Sequence, residues 1–136
     1  METVKAFIEI GKDGGYSVYI DLADKTLNYG IHGNGSTVKE AMEDFIVAYE
    51  DVKNLYAELG KDFVEAEFSY HYDTASFLEY YSTYFSLAGL SRITGIHQGQ
   101  FSHYVTRHRV PSRRTIEKID RSIHSFSKRL SQVHFV

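Results

Sequence analysis

The chain has 136 residues, 43% of them apolar, with a formal net charge of −3 and no cysteine. That apolar fraction sets aside a disordered or fibrous chain, and the missing cysteine excludes disulfides, thiolate zinc sites and thiol nucleophiles. Residues 1–72 hold 14 Asp+Glu against 6 Lys+Arg, a balance of −8, and residues 73–136 hold 4 against 9, a balance of +5; an acidic half joined to a basic one implies two kinds of partner and a division into domains 1–72 and 73–136.

The first domain reads as β-β-β-α-β. Val4 to Ile10 is a strand with mixed alternation. Asp13-Gly14-Gly15 supplies a hairpin turn, and Tyr16 to Ile20 is the β-rich return strand. Leu27 to His32 predicts a third short strand, with Gly33-Asn34-Gly35 as the breaker after it. Thr37 and Glu40 fit a capping box. Behind it, Val38, Ala41, Met42, Phe45, Ile46, Tyr49, Val52, Leu55, Tyr56 and Leu59 recur at helical spacing as one amphipathic helix that stops near Gly60. Val64 to Tyr70 alternates as a fourth strand, Val64, Ala66 and Phe68 facing one way and Glu65 and Glu67 the other. Glu9, Asp13, Asp21 and Asp24 lack the strand-end spacing that would converge on one metal ion, so solvated strand and turn acids are expected and no catalytic residue is assigned.

Two stretches, Lys12-Asp13-Gly14-Gly15-Tyr16-Ser17-Val18-Tyr19 and Gly33-Asn34-Gly35-Ser36-Thr37-Val38-Lys39-Glu40-Ala41, resemble the hairpin and the glycine turn into a capped helix of HicB-family antitoxins. The resemblance implies a partial ribonuclease-H-like fold without its catalytic carboxylates, which binds and blocks a small basic toxin ribonuclease of the HicA kind. The chain departs from that family after the second strand, where Pro-Asp-Leu-Pro-Gly-Cys is common and Ile20-Asp21-Leu22-Ala23-Asp24-Lys25 stands here.

The second domain is expected to be all-α, a helix-turn-helix. Ser76 to Glu79 fits another capping box, opening a short helix with Phe77, Leu78, Tyr81 and Phe85 on its apolar face. The aromatic run Tyr80 to Phe85 is read as core packing rather than a base-stacking platform. Ser86 can cap a helix to about Thr94, Gly95 provides a positive-φ turn, and Ile96 plugs the core just after it. A second helix begins at His97, with Phe101, Tyr104 and Val105 inward and Gln98, Gly99, Ser102 and His103 outward. That order resembles the Cro/phage-repressor class of helix-turn-helix, although Leu87 stands where that class often has Gln and Val105 where it often has Glu. The expected DNA-binding set on this helix is His97, Gln98, Gly99, Gln100, Ser102 and His103, with the outer face of Gln98, Gly99, Ser102 and His103 toward base edges. Arg107, Arg109, Arg113 and Arg114 are expected on phosphates. His97, His103 and His108 do not fall at i, i+4 on one helix, so no metal site is expected.

Ser112 caps a last helix in which Ile116, Ile119, Ile123, Phe126, Leu130 and Val133 alternate by three and four. This stripe either closes the small core or forms the seam of a homodimer or higher homo-oligomer.

Three functions fit the sequence. The first is an antitoxin of a type II toxin–antitoxin pair that neutralises a small basic ribonuclease toxin and represses its own operon at operator DNA. The second is a transcriptional regulator whose first domain binds a small ligand or only dimerises. The third, an acid-dependent nuclease, is disfavoured by the scattered carboxylates, so the chain is read as a non-enzyme without cofactor. No N-terminal stretch resembles a signal peptide and no apolar run approaches the roughly 18 residues that span a bilayer, so a cytoplasmic protein with no membrane partner is expected.

Overall fold

The computed structural model of the chain describes residues 1–21 and 23–136; Leu22, in the segment that departs from the HicB pattern, lies outside them. The fold is mixed α+β, with a four-stranded sheet and five helices among the described residues. Two compact units divide the chain, Met1–Asp73 and Thr74–Val136.

In the first unit, β1 (Glu2–Ile10) and β2 (Tyr16–Ile20) pair antiparallel. The Asp13 carboxylate accepts a hydrogen bond from the Gly15 N–H at 3.0 Å and braces the turn between them. Alternation puts Val4, Ala6, Ile8, Val18 and Ile20 on one buried face. β4 (Ala66–Tyr72) lies parallel to β1 on its other side, which gives the order β3-β2-β1-β4.

The third strand is not where the sequence reading placed it. β3 is His32–Gly35, so the glycines taken for a breaker are in the strand and Leu27 to Ile31 lies before it. The reason is the helix α1 (Val38–Glu58), which crosses directly over β3. A Cβ on Gly33 would meet the backbone of Phe45 and stand 2.6 Å from the Ala41 carbonyl oxygen; one on Gly35 would stand 2.5 Å from the Ala41 nitrogen. Glycine here permits close approach of two backbones rather than a turn.

α1 starts at its expected cap. The Thr37 Oγ1 accepts from the Glu40 N–H at 3.1 Å, but the Glu40 carboxylate reaches one residue further back than a capping box would, accepting from the Ser36 N–H at 3.0 Å and the Ser36 hydroxyl at 2.6 Å. Those bonds, the hydroxyl's first, hold its pKa below the usual carboxylate range. Only Val38, Ala41, Phe45 and Tyr49 of the long apolar pattern are buried; Ile46, Leu55 and Leu59 are exposed. Beyond Tyr49 the helix packs on a cluster of rings instead: Tyr29 stacks on Phe63 at 4.6 Å between centroids, and Tyr49 and Tyr56 meet Phe63 edge-on. The Tyr29 hydroxyl donates to the Val64 carbonyl, and the fourth strand begins at Ala66 rather than Val64 because Ala66 is the residue opposite Glu2, the first of β1.

The second unit holds α2 (Thr74–Tyr81), α3 (Leu87–Thr94), α4 (Gln98–Val105) and α5 (Arg113–Leu130). Its core is Leu78, Leu90, Ile96, Phe101 and Tyr104, with Phe77, Phe85, Leu87, Val105, Ile119 and Ile123 against it. Ser76 does not cap α2. It sits inside the helix and is fully buried, with the Arg107 guanidinium 3.5 Å from its hydroxyl. The predicted stripe divides: Ile119 and Ile123 on α5 face the core and Phe126 meets Phe85, whereas Ile116 and Leu130 are 46% and 56% exposed, and Val133, 54% exposed, lies beyond the helix, which is capped at Ser131. No residue of α5 is buried.

Candidate nucleic-acid interface

The site is built on α3, the turn after it, and α4. α3 opens where Ser86 accepts from the Gly89 N–H at 3.0 Å and closes at Gly95, whose φ of 74° is left-handed and whose N–H donates to the Ser91 carbonyl at 2.8 Å. Buried Thr94 fastens the turn: its hydroxyl donates to the Leu90 carbonyl at 2.8 Å and accepts from the Ile96 N–H at 3.2 Å. Nothing in the sequence pattern singled out Thr94, because a threonine at a helix end reads as a polar surface residue. Ile96 then enters the core and fixes where α4 starts.

His97 is the N-cap of α4 rather than its first residue. Its Nδ1 accepts from the Gly99 N–H at 3.1 Å, which places the proton of the neutral ring on Nε2. Phe101 and Tyr104 point inward, so a 3.6-residue period turns Gly99, Ser102 and His103 outward with Gln98 and Gln100 on the flanks. Gln98, Ser102 and His103 are exposed. Gln100 is also exposed, yet its side-chain oxygen accepts from the Tyr104 hydroxyl at 3.2 Å, which engages the acceptor half of its amide.

The arginines separate into different roles. Arg107 adopts a φ of 62°, ending α4 in the seat that glycine usually takes, and its guanidinium turns back toward α2. Arg109 is exposed in the following loop. Arg113 pairs with Glu117 one turn on at 3.5 Å. Arg114 instead joins Thr115, Lys118 and Arg121 around a shallow cleft of about 360 Å³ on α5. Lys118 lies over the α3–α4 turn, its Nζ 3.8 Å from where a Gly95 Cβ would stand. Lys118 and Arg121 were missed in the sequence reading, although Arg114, Lys118 and Arg121 recur at i, i+4 and i+7, the signature of one basic helix face. Residues 74–136 carry 9 Lys+Arg against 3 Asp+Glu.

Set beside known proteins, the chain matches no family model, no curated protein and no solved structure. Among the described residues no helix is long and apolar enough to cross a membrane.

Proposed function

We propose that the chain is the antitoxin of a type II toxin–antitoxin pair, repressing its own operon through Thr74–Val136 and neutralising a small basic ribonuclease toxin through Met1–Asp73. The observation that carries the DNA-binding part is the α3–Gly95–Ile96–α4 arrangement, with its second helix apolar inside and polar outside. A helix so presented enters the major groove, where Gln98 pairs with adenine and His103 and Ser102 reach neighbouring edges. Arg114, Lys118 and Arg121, of which Lys118 lies over the turn, take the backbone phosphates. Arg113 and Arg114 occupy the first two positions of α5, where the helix's positive end disfavours cations, and a bound phosphate offsets that cost.

The antitoxin part is supported by the strand order, three antiparallel strands followed by α1 and a strand parallel to the first, which fits a partial ribonuclease-H-like fold. It is supported too by charge: residues 1–73 hold 15 Asp+Glu against 6 Lys+Arg, and a ribonuclease that holds RNA must itself be basic. The exposed Ile116 and Leu130 on α5, with exposed Val133 just beyond its end, favour pairing of two copies, the arrangement that two-fold operators require. Two experiments test the reading. The full chain should shift DNA from upstream of its own gene with a steep salt dependence, and co-expression with an adjacent small basic gene should give a complex and restore growth. Absence of any shift removes the repressor part; absence of both complex and rescue removes the antitoxin part.

A further inference from the structure

α1 covers one face of the sheet. The other face is laid out by strand register. Phe7 on β1 stands opposite Tyr19 on β2 and His71 on β4, and Tyr19 stands opposite His32 on β3. His71, Phe7, Tyr19 and His32 therefore form one aromatic row across all four strands. Phe7 lies 5.8 Å from Tyr19 and 6.5 Å from His71 between ring centroids, and none of the four is buried.

Carboxylates border this row. The Tyr19 hydroxyl donates to Glu9 at 2.5 Å. Partial burial, that hydrogen bond and the nearby charges of Glu9, Asp73 and Asp21 push the Tyr19 phenol up to about 12. Glu67, held by the Thr3 hydroxyl at 3.1 Å, stands at the lower end of the same face. Lys5 is the single Lys or Arg on this face among the described strand residues.

Aromatic rings bordered by carboxylates suit one kind of group above others. A guanidinium is planar and weakly hydrated, so it can stack on a ring while its N–H groups pair with an adjacent carboxylate. Phosphates are repelled by the same acids, which disfavours a nucleic acid despite the flat ring surface. A second copy of the face would bring two units of the same negative charge together.

We propose that the open face of the sheet, centred on Phe7, Tyr19 and Glu9, docks an arginine-presenting surface of a basic protein. This rests on the reading of Met1–Asp73 as the part of the chain that holds a basic partner, and it names the face. Two or three arginines spaced along a partner helix or loop would seat over the row, their charges answered by Glu9, Asp21 and Glu67.

Fluorescence anisotropy with labelled nona-arginine, nona-lysine and oligo-uridine, on the full chain at about 0.1 M salt, reads this directly. Nona-arginine should bind several times more tightly than nona-lysine. Phe7→Leu, which keeps the bulk and removes the ring, and Glu9→Gln should each weaken it by about tenfold. Glu43→Gln, the same charge change on exposed α1, should change it less than about twofold. Equal arginine and lysine binding, indifference to Phe7→Leu and Glu9→Gln, or oligo-uridine binding that depends on Phe7 would each overturn the proposal. A dimer mass lost on Phe7→Leu would overturn it in favour of a second copy. Pull-down of the co-expressed neighbouring toxin separates the two readings. A complex that survives both substitutions removes this face and leaves the antitoxin reading. No complex even with the unaltered chain removes the antitoxin reading, and the peptide result still decides the face.

Discussion

Replacing Gly33 by alanine isolates the contact on which the first unit is built. The added Cβ would stand 2.6 Å from the Ala41 carbonyl oxygen and 2.7 Å from the Phe45 Cα, against the 3.5–4.0 Å or so that such atoms prefer. All of these neighbours are backbone, so no side chain can rotate away. α1 must instead lift from β3 by roughly 1 Å, loosening the fully buried Phe45 and its edge-on contact with Phe68 at 4.8 Å. Overpacking of a core costs typically 1–3 kcal/mol, and a clash with rigid backbone belongs at the top of that range, about 3 kcal/mol. For a unit of this size that corresponds to a Tm lower by roughly 12–24 °C. Hydrogen exchange followed by mass spectrometry on the full chain reads the effect unit by unit. Peptides spanning β3 and α1 should lose protection by about 3 kcal/mol while those spanning α3 and α4 keep theirs. Gly30→Ala, with nothing within 4 Å of its added Cβ, serves as the control. A Gly33→Ala loss below about 1 kcal/mol, the bottom of the overpacking range, would refute the close-approach argument.

Three further outcomes are expected. Gln98→Ala should weaken operator binding by about 1–3 kcal/mol and relax preference at one base pair, whereas Lys118→Ala should weaken all sequences alike and reduce the salt slope by about one; titrations on operator and scrambled DNA at several salt concentrations distinguish them, and an unchanged slope would move the phosphate contact elsewhere. Leu130→Asp with Val133→Asp should convert a dimer to a monomer by light scattering without unfolding the unit, since both residues are more than half exposed; an unchanged mass would exclude α5 as the seam. The depressed pKa of Glu40 means that its cap contributes stability above the ordinary carboxylate range and loses it as pH falls through the folded value, so Glu40→Gln should flatten the acid limb of the unfolding profile below about pH 4.5; two parallel limbs would show that the Ser36 bonds contribute nothing.

What could be read ahead of the structure was local. Ser86, Gly95 and Ile96 declare themselves because a cap, a left-handed glycine and a core plug are chemistry of adjacent residues. Gly33 and Gly35 were misread as a breaker because their reason lies at Ala41 and Phe45, on an element the sequence near them does not show. Ser76 has the pattern of a cap and the environment of a core residue; only the packing of α2 against α4 distinguishes them. Lys118 and Arg121 are legible by their spacing with Arg114, but their basic face is interleaved with the stronger apolar stripe on the same helix. The aromatic row needs the register of four strands, which alternation within each strand does not specify.

If α4 reads DNA as proposed, His97 limits how such a protein changes its target. Its ring begins α4 by accepting the Gly99 N–H, so on the proposed DNA-binding reading it is at once scaffold and neighbour of the groove. A residue with two duties is a poor place to alter specificity, because any new side chain must also cap, at a cost of about 1 kcal/mol when it cannot. The side chains of Gln98, Ser102 and His103 neither start nor end the helix; Ser102 and His103 enter its C-cap only through their carbonyl oxygens, which any residue supplies, and divergence toward a new operator should run through these three first. A library randomised at the four positions and selected on altered operators would show it, with His97 retained or exchanged for Ser, Asp or Asn while the other three vary freely; free variation at position 97 would count against the dual role.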